Sequence, residues 1–403
     1  MQAKPGMHER PRLPATVVVL SWVSFFNDAA SDMVIPLMPL LFAGPFGGGA
    51  LALGLVEGLA EAVASFMRLW SGRYSDLREG RRKGLALAGY ALSNVARPLL
   101  GLIHSWVPAL LLRSVDRVGK GIRSAPRDAL VADVTPPDLR ARAFGFHRAL
   151  DNGGAMLGAL MAAAVLAQTS LSIPDMILAS AIPGALGVLL LAWLVREPAS
   201  RGPKPKTAGL PPLEWHRLPA PIRRYLGLVV LFSFARASET FIVLRGHELG
   251  LSASLLLVLW AALSLVKALA SQWGGMLADR LTHFAILRLS WGLFALWYFC
   301  FAAVTSPALL WVVVLGYGVS VGLGEGIERA VISDFASAGE RGTAFGWYNM
   351  ATGFAAIPAG LVFGGIWTWL SGAAAFTMGG VIAALSVLLL QRVFHGRMTS
   401  RIS

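Results

Sequence analysis

Apolar runs long enough to cross a bilayer recur along this chain, and no other feature restricts its fold as strongly. About 20 apolar residues span the hydrocarbon core as a helix. Runs of this kind lie at about 16–41, 51–73, 85–103, 109–131, 143–166 and 176–195. Six more lie at about 225–244, 254–277, 284–304, 308–332, 343–367 and 373–393. Apolar residues make up 56% of the sequence and charged residues only 14%, where a soluble domain is nearer one quarter charged. A spanning segment must satisfy its own backbone hydrogen bonds, so strands are not required. The expected class is an all-α polytopic membrane protein with twelve spans. The first run continues too far for a cleaved signal peptide.

The polar segments alternate in charge. With the N-terminus placed in the cytoplasm, the loops on that side collect roughly twenty Lys and Arg, and the opposite loops hold only Arg245. This bias predicts a multi-pass plasma-membrane protein with both termini cytoplasmic. It accounts for most of the net charge of +13, so the basic balance is not a nucleic-acid signal. The single cysteine, Cys300, excludes a disulfide framework and a cysteine zinc site within one chain. The Pro-rich basic stretch 196–224 reads as a linker. It divides the chain into a six-span bundle at 1–195 and a second at 225–403 that carries a short tail.

The halves share local signatures. Gly72-Arg-Tyr-Ser-Asp-Leu-Arg-Glu-Gly-Arg-Arg-Lys83 follows the second span, and Gly275-Met-Leu-Ala-Asp-Arg280 follows the eighth. Asp133, Arg140 and Ala143-Phe144-Gly145 follow the fourth span. Asp334, Arg341 and Ala344-Phe345-Gly346 follow the tenth. Such repetition indicates internal duplication, and paired six-span halves are a transporter architecture with a site between them.

These residues resemble the major facilitator superfamily, whose loop after the second span reads Gly-x-x-x-Asp-Arg-x-Gly-Arg-Arg. Gly72, Asp76, Gly80, Arg81 and Arg82 match. Leu77, Arg78 and Glu79 separate the Asp from the Gly where the family has two residues, and Arg78 stands for the family's Arg. The second copy supplies Gly275, Asp279 and Arg280. The resemblance implies a secondary active transporter, not an enzyme, working without a cofactor. It also implies that Asp76 belongs to a charge lock for one conformation, and that spans 1, 4, 7 and 10 line a central cavity. Glycines in span 5, after Asp151 and Asn152, resemble an exporter motif without its proline and favour efflux by antiport.

Those four spans hold most of the intramembrane charge. Span 1 carries Asn27, Asp28 and Asp32; the two acids, four residues apart, share a helix face. Ionisable groups inside a bilayer usually line a pathway, and desolvation favours the neutral form of a carboxylic acid. Asp28 and Asp32 therefore read either as proton-loading groups or as static partners of basic residues. Span 4 carries Arg113, Asp116, Arg117, Lys120, Arg123, Arg127 and Asp128. Arg113, Arg117 and Lys120 form one stripe, read either as a cation face toward an anionic substrate or as a fixed network with Glu57 and Glu61 of span 2. Arg123 and Arg127 are placed to snorkel toward the cytoplasm. Arg236 and Glu239 in span 7, and Glu325, Glu328 and Arg329 in span 10, read either as substrate contacts or as local ion pairs, Glu325 with Arg329 being four apart.

No phosphate cradle, catalytic triad or metal-ligand spacing is present in the sequence. The expected function is proton-coupled export of a small anionic or zwitterionic solute by a monomer in the lipid bilayer. Proton-coupled uptake is the alternative, with a metal-ion exporter or a non-transporting sensor behind it.

Overall fold

A computed structural model describes residues 13–77, 82–136, 139–195, 215–278, 280–336 and 341–394. These form α1 (Ala15–Asp32), α2 (Met38–Ala43), α3 (Gly49–Leu77), α4 (Arg82–Leu99), α5 (Trp106–Val134), α6 (Arg140–Gln168), α7 (Ile173–Ala179) and α8 (Ala181–Leu194). The second half forms α9 (Ala220–Ala235), α10 (Thr240–Glu248), α11 (Ala253–Ala278), α12 (His283–Ala303), α13 (Pro307–Gly324), α14 (Ile327–Phe335), α15 (Arg341–Trp369) and α16 (Gly372–Phe394). No strand occurs among the described residues.

Among the described residues, eleven segments are long and apolar enough to cross a membrane. The remaining crossing is α5, 29 residues long. Its length suffices, but its charges lower its hydropathy. The all-α, twelve-helix architecture expected from the apolar runs is thus present. Span 7 starts earlier than expected: α9 begins at Ala220 and takes in Arg223 and Arg224, while 196–214 lies outside the described residues.

The two halves repeat one packing scheme. In the first, α3 and α4 pack on α5, and α6 and α8 pack on α1; in the second, α11 and α12 pack on α13, and α15 and α16 pack on α9. Equivalent bonds recur. The Ser93 hydroxyl of α4 donates to the Asp116 carbonyl at 2.8 Å, and that of Ser290 on α12 donates to the Ser320 carbonyl at 2.8 Å. Arg82 pairs with Asp133, and His283 lies 2.7 Å from Asp334. The duplicated aspartates thus tie the start of the third helix of each half to the end of the fourth.

The halves meet along α3 with α15 and α6 with α11. The first seam is backbone on backbone. A Cβ at Gly54 would sit 2.1 Å from the Gly360 carbonyl oxygen, and one at Gly58 would sit 2.5 Å from that of Ala356. Small residues are what allow membrane helices this close.

Four crossings are interrupted, against the continuous spans expected: span 6 at Ser180, between α7 and α8, and spans 1, 7 and 10 at charged residues. Span 1 stops at Asp32, passes through a 3-10 turn (Ile35–Leu37) and resumes as α2, with Pro36 and Pro39 removing backbone donors. Span 7 breaks at 236–239, where the Ser238 carbonyl accepts from Phe241 N–H at 3.1 Å. Span 10 breaks at Glu325–Gly326, where Gly326 has φ +93°, a conformation glycine adopts without a Cβ clash. Irregular backbone at membrane depth persists only where protein or a polar cavity covers it.

Candidate functional site

The charges of α5 are answered by its neighbours. The Arg113 guanidinium, fully buried, donates to both Glu57 carboxylate oxygens at 3.0 and 3.3 Å and to Asp116 at 3.1 Å. Arg97 of α4, 2% exposed, donates to the other Asp116 oxygen at 3.0 Å and to Asn94 at 3.1 Å. Asp116 therefore lies between two guanidiniums. Arg117 sits 4.0 Å from Glu57. Asn27 joins from α1 by accepting from the Asn94 amide at 3.2 Å. These groups form a buried network among α1, α3, α4 and α5.

A second cluster lies nearer the start of α1 and the end of α5. Arg123 stacks over the Tyr90 ring at 4.4 Å and lies 4.0 Å from Asp28, which also accepts from Asn27 at 2.9 Å. Arg127 donates to Ser24 at 2.7 Å and to Asp128 at 2.9 Å. Arg123 and Arg127, 5% and 14% exposed, thus turn inward instead of snorkelling, toward a tyrosine face, a serine and three carboxylates, Asp28, Asp128 and Asp151.

The cavity lies elsewhere, at the helix breaks. It measures about 620 Å³ and takes its lining from Asp32, from Arg148 and Asn152 of α6, and chiefly from the second half. Arg236 and Glu239 flank the break in span 7; Glu325, Glu328 and Arg329 surround the break in span 10; all five line it. Each is held differently. Arg236 pairs across to Glu328 at 3.4 Å, and Glu328 also accepts from Tyr348 at 2.5 Å and Trp291 at 3.2 Å. Glu239 accepts from Lys267 of α11 at 2.6 Å. Asp32 accepts from the Trp260 indole at 2.7 Å. Arg148, Glu325 and Arg329 are exposed and have no ion-pair partner among the described residues. Stacked Phe232 and Trp291, with ring centroids 4.1 Å apart, give the cavity an aromatic wall beside these charges.

The family model of the Major Facilitator Superfamily matches residues 20–359. The chain belongs to this superfamily. It is similar to an uncharacterised MFS-type transporter of Methanocaldococcus jannaschii, 30% identical over 385 residues covering 94% of each chain. It is also similar to the multidrug resistance protein MdtH of Enterobacter sp. (strain 638), 29% identical over 203 residues, or 49% of this chain and 44% of that one. Among solved structures, the nucleoside transporter NupG superposes with a TM-score of 0.76 at 14% identity, over 94% of this chain and 99% of that one.

In this major facilitator transporter, five of the expected pathway residues line one cavity: Asp32, Arg236, Glu239, Glu325 and Glu328. Asn27, Asp28, Arg113, Asp116, Arg117 and Lys120 are absent from its lining. The local pairs that are one of the two readings of spans 7 and 10 do not form. Arg236 reaches Glu328 in place of Glu239, and Glu325 and Arg329 are separated by the break at Gly326. Of the loop motif, Gly72 approaches α5, where a Cβ would meet that of Ala125 at 3.3 Å, and Gly275 faces open space. Arg82 is described above and Arg280 is exposed. Arg78, Gly80, Arg81, Asp279 and the Asp76 side chain lie outside the described residues.

Sequence reasoning passed over Arg97, Arg148, Trp260, Lys267 and Tyr348. Lys267 carried a signal, a lone cation inside the apolar run of span 8. Arg97 carried a similar one in span 3. Trp260 and Tyr348 carried none, because aromatic residues are ordinary in membrane helices.

Proposed function

We propose that this transporter moves a small anionic or zwitterionic organic solute by alternating access, and that it exports that solute in exchange for protons. One observation carries the reading: three interrupted helices gather charged groups into a single cavity with an aromatic wall. Broken helices near the midplane form substrate and coupling-ion sites in transporters. Arg148 and Arg329 are the cations available for a solute carboxylate, and Glu325 is the acid available for an ammonium. Asp32 is the coupling acid, on the cavity surface at the end of α1. Arg113, Asp116, Arg117 and Asn27 hold the first bundle together, while Asp28 and Lys120 tune the field around Asp32. Asp76 and the basic loop serve as the charge lock. The loop charge bias supports a plasma-membrane protein with cytoplasmic termini. The partial match to a multidrug resistance protein supports export.

Thermal stabilisation of the purified protein by a panel of organic anions, zwitterions and lipophilic cations tests the solute class, since ligand binding raises apparent stability by mass action. Anions or zwitterions are expected to stabilise, and Arg329→Ala is expected to remove the effect. Stabilisation by lipophilic cations alone overturns the assignment. In liposomes loaded with a stabilising compound, an inward proton gradient is expected to drive its exit. Exit indifferent to the gradient overturns proton exchange.

A further inference from the structure

The bond between Asp32 and Trp260 joins the two bundles. Asp32 is the last residue of α1, and Trp260 stands on α11 of the other half. Beyond Asp32 the chain enters the 3-10 turn, which packs on α11 and α10, and then α2, which packs on α10. This is the side away from the start of α1 and the end of α16, where the halves close over the cavity. Trp260 is 8% exposed, and its indole N–H finds its hydrogen-bond partner in Asp32.

We infer that Trp260 is the positioning residue that converts the charge state of Asp32 into closure of that side of the cavity. The chemistry follows from the donor inventory. Indole is a donor only. An ionised carboxylate accepts from it in a charge-assisted bond, roughly twice as strong as a neutral one. A protonated Asp32 keeps only a neutral acceptor, and its new O–H finds no acceptor in the indole. Loading a proton thus weakens the clasp between α1 and α11 and releases α2 from α10. The charged groups around Asp32 are Asp28 on its own helix, Lys120 on α5, Lys267 on α11 and Arg148 on α6. Lys267 is engaged by Glu239 at 2.6 Å, so the indole is the neutral donor that can let go. The inference rests on the reading of Asp32 as the coupling acid.

The test uses the full-length protein in detergent. Cys300→Ser removes the native thiol, and Leu41→Cys, at a site 2% exposed in α2, reports opening. The probe is a polyethylene-glycol maleimide, and the labelling rate at each pH is divided by that of the denatured protein. In the parent, labelling is expected to be about tenfold faster in mild acid than in mild base, as for loss of a charged hydrogen bond. Trp260→Phe is expected to label fast at both, with the pH slope gone. Asp32→Asn, which keeps an uncharged acceptor, is expected to label at the acid rate throughout. Infrared difference spectra between the same pH values read protonation of Asp32 directly, as a carboxyl band missing in Asp32→Asn. A present band with an unchanged slope in Trp260→Phe, or with no slope in the parent, overturns the inference and leaves the coupling reading standing. An absent band overturns both.

Discussion

The polar interiors of the two bundles are built from the same residue types and do different things. In the first bundle, Glu57, Arg97, Arg113, Asp116 and Arg117 are each less than a tenth exposed and pair with one another. In the second, Arg236, Glu239 and Lys267 are partly exposed, and Glu325 and Arg329 stand free at a helix break. The difference is backbone continuity. α5 runs unbroken through its charges, and their partners lie on neighbouring helices and along α5 itself. Spans 7 and 10 break at theirs, and a cavity lies at the breaks. In this protein the charges at the breaks of spans 7 and 10 line a cavity, and those along the unbroken α5 do not.

The sharpest way to break this contrast is Asp116→Ala. It leaves Arg97 and Arg113 buried without their shared acceptor, and losing one partner of a buried pair costs about 3–5 kcal/mol. Thermal unfolding in detergent is expected to show a large drop in stability, or the protein fails to accumulate. A variant as stable as the parent would mean that the first bundle is wet and belongs to the pathway. Lys267→Met should have an intermediate effect. Its pair with Glu239 is about one-fifth exposed on each side, so solvent screens it, and the loss expected is about 1 kcal/mol. Transport is expected to suffer more than stability. The smallest effect on stability is expected for Glu325→Gln combined with Arg329→Ala. These exposed groups have no ion-pair partner to lose, so unfolding should shift by no more than about 0.5 kcal/mol, while solute binding weakens about tenfold. A drop in stability to match Asp116→Ala would erase the distinction between the two interiors.

Much of the architecture is legible in the sequence, because spanning length and hydropathy are local properties. The repeat is legible too: Asp133 and Asp334 occupy matching places in chain and in space. The destination of α5's charges is not, because it depends on which helices pack beside it. The stripe of Arg113, Arg117 and Lys120 is consistent with facing a cavity or a neighbour, and only the positions of Glu57 and Arg97 distinguish the two. The breaks divide in the same way. Glu325-Gly326 lies in a glycine-rich run that hints at an interruption. Arg236-Ala-Ser-Glu239 contains neither proline nor glycine, and its break appears only once Arg236 is drawn to Glu328 and Glu239 to Lys267.

The buried network around α5 has a consequence for how the protein is made. Each Arg, Lys or Asp near the middle of a lone helix opposes membrane entry by about 3 kcal/mol. α5 places Arg113, Asp116, Arg117 and Lys120 within two turns, so as a separate segment it would stay in water. Its counter-charges, Glu57 on α3 and Arg97 on α4, leave the ribosome first. Arg97 in turn has no acidic partner until Asp116 arrives. The three helices therefore have to enter the bilayer as one cohort, with α3 and α4 waiting at the translocon for α5. A fragment that ends after α5 carries α5 with its partners, and a fragment that begins at α5 carries a helix the membrane refuses.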